Sequence, residues 1–216
     1  MYQALIVAAG LGTRSGLDHN KNLHPLKNKP MIRYSVERFL EDDDCESIIV
    51  VCSENDKERF AEVLGEDAEI VIGGPTRQKS VANGLSLVSA KYVLIHDGAR
   101  PNLKKDAITA IKYKLAFSDS VTLCVRVKDT LAYIEEETIV GSINRESVVQ
   151  IQTPQAFLTA KIKQAHGLAE ESGHRYPDDA SLIRGELNEK VAFVLGDSNN
   201  IKATTADDFV LLEALL

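Results

Sequence analysis

Apolar runs alternate with helix-period segments along most of this chain, and that alternation restricts the fold more than any other feature. Strand patterns lie at residues 3–7, 47–52, 68–72, 92–96, 120–125 and 191–195. Between them, residues 31–39, 54–64, 78–87 and 106–117 carry apolar side chains at spacings of three and four. Strands separated by helices predict βαβ units, an α/β fold with a mainly parallel sheet, and ligand loops at the carboxyl ends of the strands. With 44% hydrophobic residues among 216, the chain can fill such a core as one domain.

The rhythm breaks between Arg126 and Gln152, where the pattern reads as strand, acidic turn, strand with Glu135, Glu136 and Glu137 at the tip. A hairpin of that length cannot bury both faces alone. It either folds onto the domain edge or reaches a second subunit.

Charge and composition exclude several functions. The chain has 25 Lys+Arg against 32 Asp+Glu, a net charge of −7, which argues against a general nucleic-acid binder. No segment reads as a membrane span or a signal peptide. Three cysteines without metal-ligand spacing, two of them (Cys52 and Cys124) in apolar runs, suit a reducing cytoplasm.

Chemistry concentrates in five loops. The first, "AAGLGTRS", follows the first strand and holds Gly10, Gly12 and Arg14, with Lys21 shortly after. Glycines let backbone N–H groups approach a phosphate chain, and Arg14 adds a fixed cationic fork. A dinucleotide site is disfavoured, because Ser15 stands where a third glycine belongs and no ribose-binding acid follows. No Gly-Lys-Ser/Thr appears, which removes a P-loop.

The second loop, "GGPTRQKSVANGL" (73–85), offers Gly73 and Gly74 for close approach and Ser80 as a hydroxyl; Arg77 reads as a surface charge at a helix start. The third, "IHDGARP" (95–101), ends a buried strand with Asp97, an oxygen donor suited to Mg²⁺, and carries Arg100. The fourth contains Arg145 and Thr153, and the fifth contains Lys202 ahead of a helix capped by Thr204 or Thr205. Arg14, Lys21, Arg100, Arg145 and Lys202 place five cations in loops of a net-acidic chain, which favours a phosphorylated substrate. His96 reads as a satisfied strand-end residue, and no histidine sits in a metal or triad motif. Asp178-Asp179 either caps the next helix or lines the substrate site.

Taken together, "AAGLGTR" with Lys21, "GGPTRQKSVANGL", "HDGARP", "QTPQAF", "DDAS" and "NNIKATTADD" resemble, in order, the motifs of the 2-C-methyl-D-erythritol 4-phosphate cytidylyltransferases. The likeness runs across nearly the whole chain. It implies a Rossmann-like nucleotidyltransferase of one domain (1–216) that forms a homodimer through a β-arm at about 126–150. The implied reaction joins CTP to 2-C-methyl-D-erythritol 4-phosphate and releases pyrophosphate, in non-mevalonate isoprenoid precursor synthesis, with Mg²⁺ or another divalent cation as cofactor.

By the same resemblance, Ala8, Ala9, Gly10, Gly12, Gly74 and Ser80 would hold the nucleotide. Arg14, Lys21 and Lys202 would be the catalytic cations. Asp97 would contact nucleotide, metal and substrate. Arg100, Thr130, Arg145 and Thr153 would bind the sugar-alcohol phosphate, with Thr130 and Arg145 donated by the arm of the other subunit. Asn20, Asn22-Leu23, Gly98, Ala132, Pro177 and Asn199 depart from the family pattern. A ribitol-5-phosphate cytidylyltransferase is the nearest alternative, and a non-catalytic nucleotide-binding regulator is the alternative of another class.

Overall fold

β1 (Tyr2–Val7) is buried along nearly its whole length because it has sheet neighbours on both sides and helices on both faces. Its run of apolar residues has no polar face to offer, as expected of a central strand in a parallel sheet. The computed structural model describes residues 1–10, 12 and 16–216. Arg14 therefore lies outside the described residues.

The remaining elements follow in chain order. They are β2 (Pro25–Leu26), β3 (Lys29–Pro30), α1 (Met31–Leu40), β4 (Cys45–Cys52), α2 (Lys57–Leu64), β5 (Glu69–Ile72), α3 (Arg77–Leu85), β6 (Tyr92–Asp97) and α4 (Lys105–Leu115). Next come β7 (Ser120–Arg126), β8 (Leu131–Glu135), β9 (Thr138–Ile143), β10 (Val149–Leu158), α5 (Thr159–Ser172), α6 (Asp179–Leu187), β11 (Ala192–Leu195) and α7 (Ala206–Leu215).

Among the described residues the main sheet has seven strands in the order β11-β7-β10-β6-β1-β4-β5. β4 and β6 flank β1 in parallel, and the chain moves outward first through β4 and β5 and then back through β6. The strand order thus reverses beside β1, and the crevice at such a reversal is where open α/β sheets bind ligands.

Alternate residues of β1 feed the two layers. Ala4 and Ile6 pack with Phe39 of α1, Phe60 of α2 and Ile111 of α4, while Leu5 packs with Val81 and Leu85 of α3 and Ile162 of α5. A third cluster joins Leu26 and Met31 to Phe209 and Leu212, which seats α7 against the loops that carry the site.

β10 departs from the expected pattern. It runs antiparallel between β6 and β7, although residues 149–158 carry Pro154, a residue that argues against a central strand. The sheet accommodates it by a register shift against β7 between Ile151 and Gln155, so that the ladder is interrupted at the proline. Helices α5 and α6 are not evident from apolar periodicity, because their buried stripes include Thr159, Ala165, His166 and Ala169 in α5 and Asp179 and Ala180 in α6.

The segment that broke the rhythm is a separate two-stranded sheet of β8 and β9. It does not add to the edge of the main sheet. Tyr133, Ile134 and Ile139 on it are 60%, 70% and 72% exposed. Among the described residues no helix is long and apolar enough to cross a membrane.

Two glycines on helices give a paired test of this packing. A Cβ at Gly84 would meet Leu5 Cδ1 at 2.4 Å and Val51 Cγ2 at 2.8 Å, whereas one at Gly167 meets nothing within 4 Å. Gly84→Ala is expected to destabilise by about 1–3 kcal/mol through overpacking. Gly167→Ala is expected to stabilise by about 0.5–1 kcal/mol by improving the helix. Urea unfolding of the two variants checks the opposite signs; equal shifts would contradict the packing described.

Candidate active site

Loops at the carboxyl ends of β1, β5 and β6, together with the segment before α7, enclose a cavity of about 620 Å³. Ala9, Gly10, Gly12, Lys21, Gly74, Ser80, Asp97 and Lys202 line it. Most of the residues expected to handle a nucleotide are therefore brought together. Ala8 is buried just behind, its N–H donating to the Val51 carbonyl at 2.7 Å.

The Lys21 turn is held from beneath. Asn20 donates to the Ala8 carbonyl at 3.0 Å and to Asp56 Oδ2 at 2.9 Å, and its own Oδ1 accepts from the Asn22 N–H at 3.0 Å. Asn20 thus ties the residues before and after Lys21 to the end of β1. Lys21 Nζ donates to the Ala203 carbonyl at 2.7 Å, which ties it to the segment that carries Lys202.

The glycine loop after β5 is equally constrained. A Cβ at Gly73 would lie 2.7 Å from both Ala9 Cβ and Ser80 Oγ, so only glycine lets the β1 and β5 loops approach. Ser80 accepts from the Gly74 N–H at 3.1 Å and donates to the Thr76 carbonyl at 2.9 Å, which shapes the turn. Thr76 caps α3 by accepting from the Lys79 N–H.

Asp97, the last residue of β6, has a side chain only 11% exposed and is surrounded by cations. Lys202 Nζ donates to its Oδ2 at 2.8 Å and Arg77 Nε to its Oδ1 at 3.1 Å, with Arg100 Nε at 4.0 Å. Burial opposes its ionisation, but Arg77, Lys202 and Arg100 together hold the carboxyl well below the usual range. Arg77 also donates through Nη1 to Asp179 Oδ2 at 2.8 Å. It is therefore not a solvated charge at a helix start; two buried carboxylates define its position.

The remaining expectations divide. Thr153 is buried and absent from the cavity lining; its hydroxyl accepts from the Asp97 N–H at 3.0 Å and pairs with His96 Nδ1 at 3.0 Å. Arg100 donates to the Asn200 carbonyl at 2.7 Å, behind Asp97. His96, bonded also to the Arg100 carbonyl, is a satisfied strand-end residue, and burial pushes its imidazole down to about 4. Thr130 and Arg145 are exposed near the β8–β9 hairpin and line no part of this cavity within one chain. Of the acid pair, Asp178 caps α6 through the Ser181 N–H, and Asp179 turns inward. Thr205, with Asp208, caps α7.

The pairing of Arg77 with Asp179 is what motif reading misses. They are 102 positions apart in sequence, and an arginine at a helix start carries no local sign of a buried partner.

A family model described as "IspD: 2-C-methyl-D-erythritol 4-phosphate cytidylyltransferase" matches residues 2–216. The 2-C-methyl-D-erythritol 4-phosphate cytidylyltransferase of Halalkalibacterium halodurans is 38% identical, with 100% of this chain and 96% of the relative covered. That of Bacillus pumilus is 37% identical with the same coverage. Among solved structures, the Thermus thermophilus enzyme of that name superposes with a TM-score of 0.86 at 30% identity, covering 100% of this chain and 98% of the other. The 4-diphosphocytidyl-2C-methyl-D-erythritol synthase of Anaerococcus prevotii gives 0.88 at 25% identity, covering 99% and 95%.

Proton linkage tests the buried site. Folded His96 stays neutral down to about pH 4, whereas an unfolded imidazole takes up a proton near 6.5, so acidification favours unfolding from about pH 6.5 downward. Asp97 and Asp179, both held below the ordinary carboxyl range, extend the loss below about pH 4, where only the unfolded chain protonates them. The His96 contribution is expected to cost about 2–3 kcal/mol by pH 4. Urea midpoints measured from pH 7 to 4 should fall for the wild type and fall less for His96→Gln; parallel slopes would refute this linkage.

Proposed function

Since the chain belongs to the 2-C-methyl-D-erythritol 4-phosphate cytidylyltransferase family, we propose that its glycine-lined cavity is where a cytidylyl group passes from CTP to the sugar-alcohol phosphate. The protein is a cytidylyltransferase that serves isoprenoid precursor synthesis. The observation that carries the site assignment is the convergence of Lys21 and the Lys202–Asp97–Arg77 cluster on one cavity at the strand reversal.

The chemistry asks little of a general base. A phosphate oxygen of the acceptor is already anionic near neutrality. It forms a bond to the α-phosphorus of CTP while the bond to the bridging oxygen breaks, and pyrophosphate leaves with that electron pair. The barrier lies in bringing two polyanions together and in the charge that builds toward the leaving group, so positioned cations are the useful groups. Lys21 and Arg14 grip the triphosphate, and Lys202 stands beside the reacting phosphates. The backbone at Ala8, Ala9, Gly10, Gly12 and Gly74 admits the nucleotide, with Ser80 fixing the turn around it. Asp97 meets the acceptor, backed by Arg100 and Thr153.

A divalent cation fits this site in one manner. No group of three or more His, Cys, Asp or Glu side chains that could hold a metal occurs among the described residues, yet Asp97 is a hard oxygen donor on the cavity wall. Mg²⁺ commonly takes one or two protein carboxylates and completes its shell with phosphates and water. Bound there with substrate, it would neutralise phosphate charge. The protein's part is to keep Asp97 ionised and oriented, and to let Lys202 move from Asp97 toward a phosphate.

The exposed apolar side chains of β8–β9 support a homodimer in which each arm brings Thr130 and Arg145 to the acceptor bound by the second copy. Burying Tyr133, Ile134 and Ile139 removes an apolar surface that a lone hairpin cannot cover. The thiols of Cys52 and Cys124, free and buried, suit a reducing cytoplasm.

Pyrophosphate is expected with CTP, Mg²⁺ and 2-C-methyl-D-erythritol 4-phosphate, and Lys21→Ala or Arg14→Ala is expected to lower turnover by about 10² or more. Turnover only with ribitol-5-phosphate would overturn the acceptor, and no pyrophosphate from any pairing would overturn the reaction. Sedimentation at micromolar concentration should give a dimer that Ile134→Asp with Ile139→Asp converts to monomer; a wild-type monomer would remove the arm's assigned role.

A further inference from the structure

Asp97 must present its carboxylate in one orientation while the cations around it come and go, and the structure shows what holds it. Lys202, which bonds Oδ2, is 39% exposed in its side chain and lines the cavity, so phosphates compete for it. Arg77, which bonds Oδ1, also lines the cavity and is 27% exposed in its side chain, but it is held twice. Its guanidinium spans two carboxylates, with Nε on Asp97 at 3.1 Å and Nη1 on Asp179 at 2.8 Å. A planar fork can hold two such bonds in fixed relation, which an ammonium at the same place cannot do.

The second carboxylate is the rigid end. Asp179 is 2% exposed in its side chain and takes no part in the cavity lining. Its Oδ1 accepts from His166 Nε2 at 3.2 Å, from within α5, where the imidazole is 5% exposed. Its backbone N–H and that of Ala180 both donate to Gln155 Oε1 at 3.0 Å. Gln155 sits on β10 opposite Ile95 of β6, two residues before Asp97. The start of α6 is thereby fastened to the sheet beside the strand that carries Asp97.

We propose that Arg77, Asp179 and His166 form a positioning array that sets the orientation of the Asp97 carboxylate, and that they affect cytidylyl transfer only through Asp97. The inference rests on the role given to Asp97 in the reaction above. An ion pair that merely tied α6 to α3 would end at Arg77 and Asp179. Here a further N–H of the guanidinium is spent on the Asp97 carboxylate of the cavity wall, and the chain of bonds continues from α5 through α6 and α3 to β6. Because Asp179 anchors Arg77 from outside the cavity, Asp97 stays aimed when Lys202 shifts to a phosphate.

The decisive experiment is a double-mutant cycle on the full-length protein with Asp179→Asn, Asp97→Asn and the pair. Asp179→Asn is isosteric; it is expected to lower kcat about tenfold, with KM for CTP within about threefold, in protein whose folded fraction is fixed by circular dichroism. Placed on Asp97→Asn, it is expected to change the rate by less than about twofold, since residues that act as a unit are non-additive. His166→Gln, which retains an N–H donor, should keep most of the rate that His166→Leu loses.

Equal losses in both backgrounds, or an unchanged kcat, would overturn the proposal and leave a structural tie. A crystal structure of Asp179→Asn, or of Arg77→Lys if the former fails to fold, needs no activity. A turned Asp97 carboxylate supports the array and an unmoved one overturns it. Wild-type protein that releases no pyrophosphate refutes the reaction itself, and the crystallographic arm then still judges the array.

Discussion

The buried carboxylate of Asp97 is the constraint on which the rest of the site depends. A charge this far from solvent is costly unless it is paired and hydrogen-bonded. Three cations meet that need from three directions: Arg77 from α3, Lys202 from the segment before α7, and Arg100 from the turn after β6. Each of those cations in turn requires its own fixed support. Asp179 supports Arg77, the carbonyl of Asn200 supports Arg100, and the α7 cluster around Phe209 and Leu212 seats the segment that carries Lys202. One ionised group at a strand end thus ties together elements that lie far apart in the chain.

The sheet makes this convergence available. Reversal of strand order beside β1 opens a crevice where the loops of β1, β5 and β6 meet, and small residues keep it open. Gly73 is needed there because a side chain would strike Ala9 and Ser80, so the glycine serves backbone approach rather than flexibility. Asn20 and Asn22 satisfy the Ala8 carbonyl at the end of β1, which fixes the turn carrying Lys21.

Much of this was legible from residue patterns. The parallel core strands are nearly continuous apolar runs, the loop cations stand beside glycines, and the hairpin announces itself by breaking the rhythm. β10 was hidden by Pro154, whose cost to the ladder the sheet avoids by a register shift. Asp178 and Asp179 are neighbours with the same chemistry, yet one caps a helix and the other turns into the interior. No local pattern separates them, because their difference lies in what the fold places opposite each. Thr153, expected at the substrate, instead spends its hydroxyl on the Asp97 N–H and His96.

The sequence by itself determined the fold class, the family and the small set of loops in which phosphate chemistry must lie, since periodicity and motif order are properties of neighbouring residues. Tertiary structure alone decided which charges meet. Arg77 finds Asp97 and Asp179 across separations of 20 and 102 residues, and burial there turns an unremarkable helix-start arginine into the fixed point of the site. The physical reason is that a charge's role depends on its partners and its access to water, and both are set by the packing of distant segments.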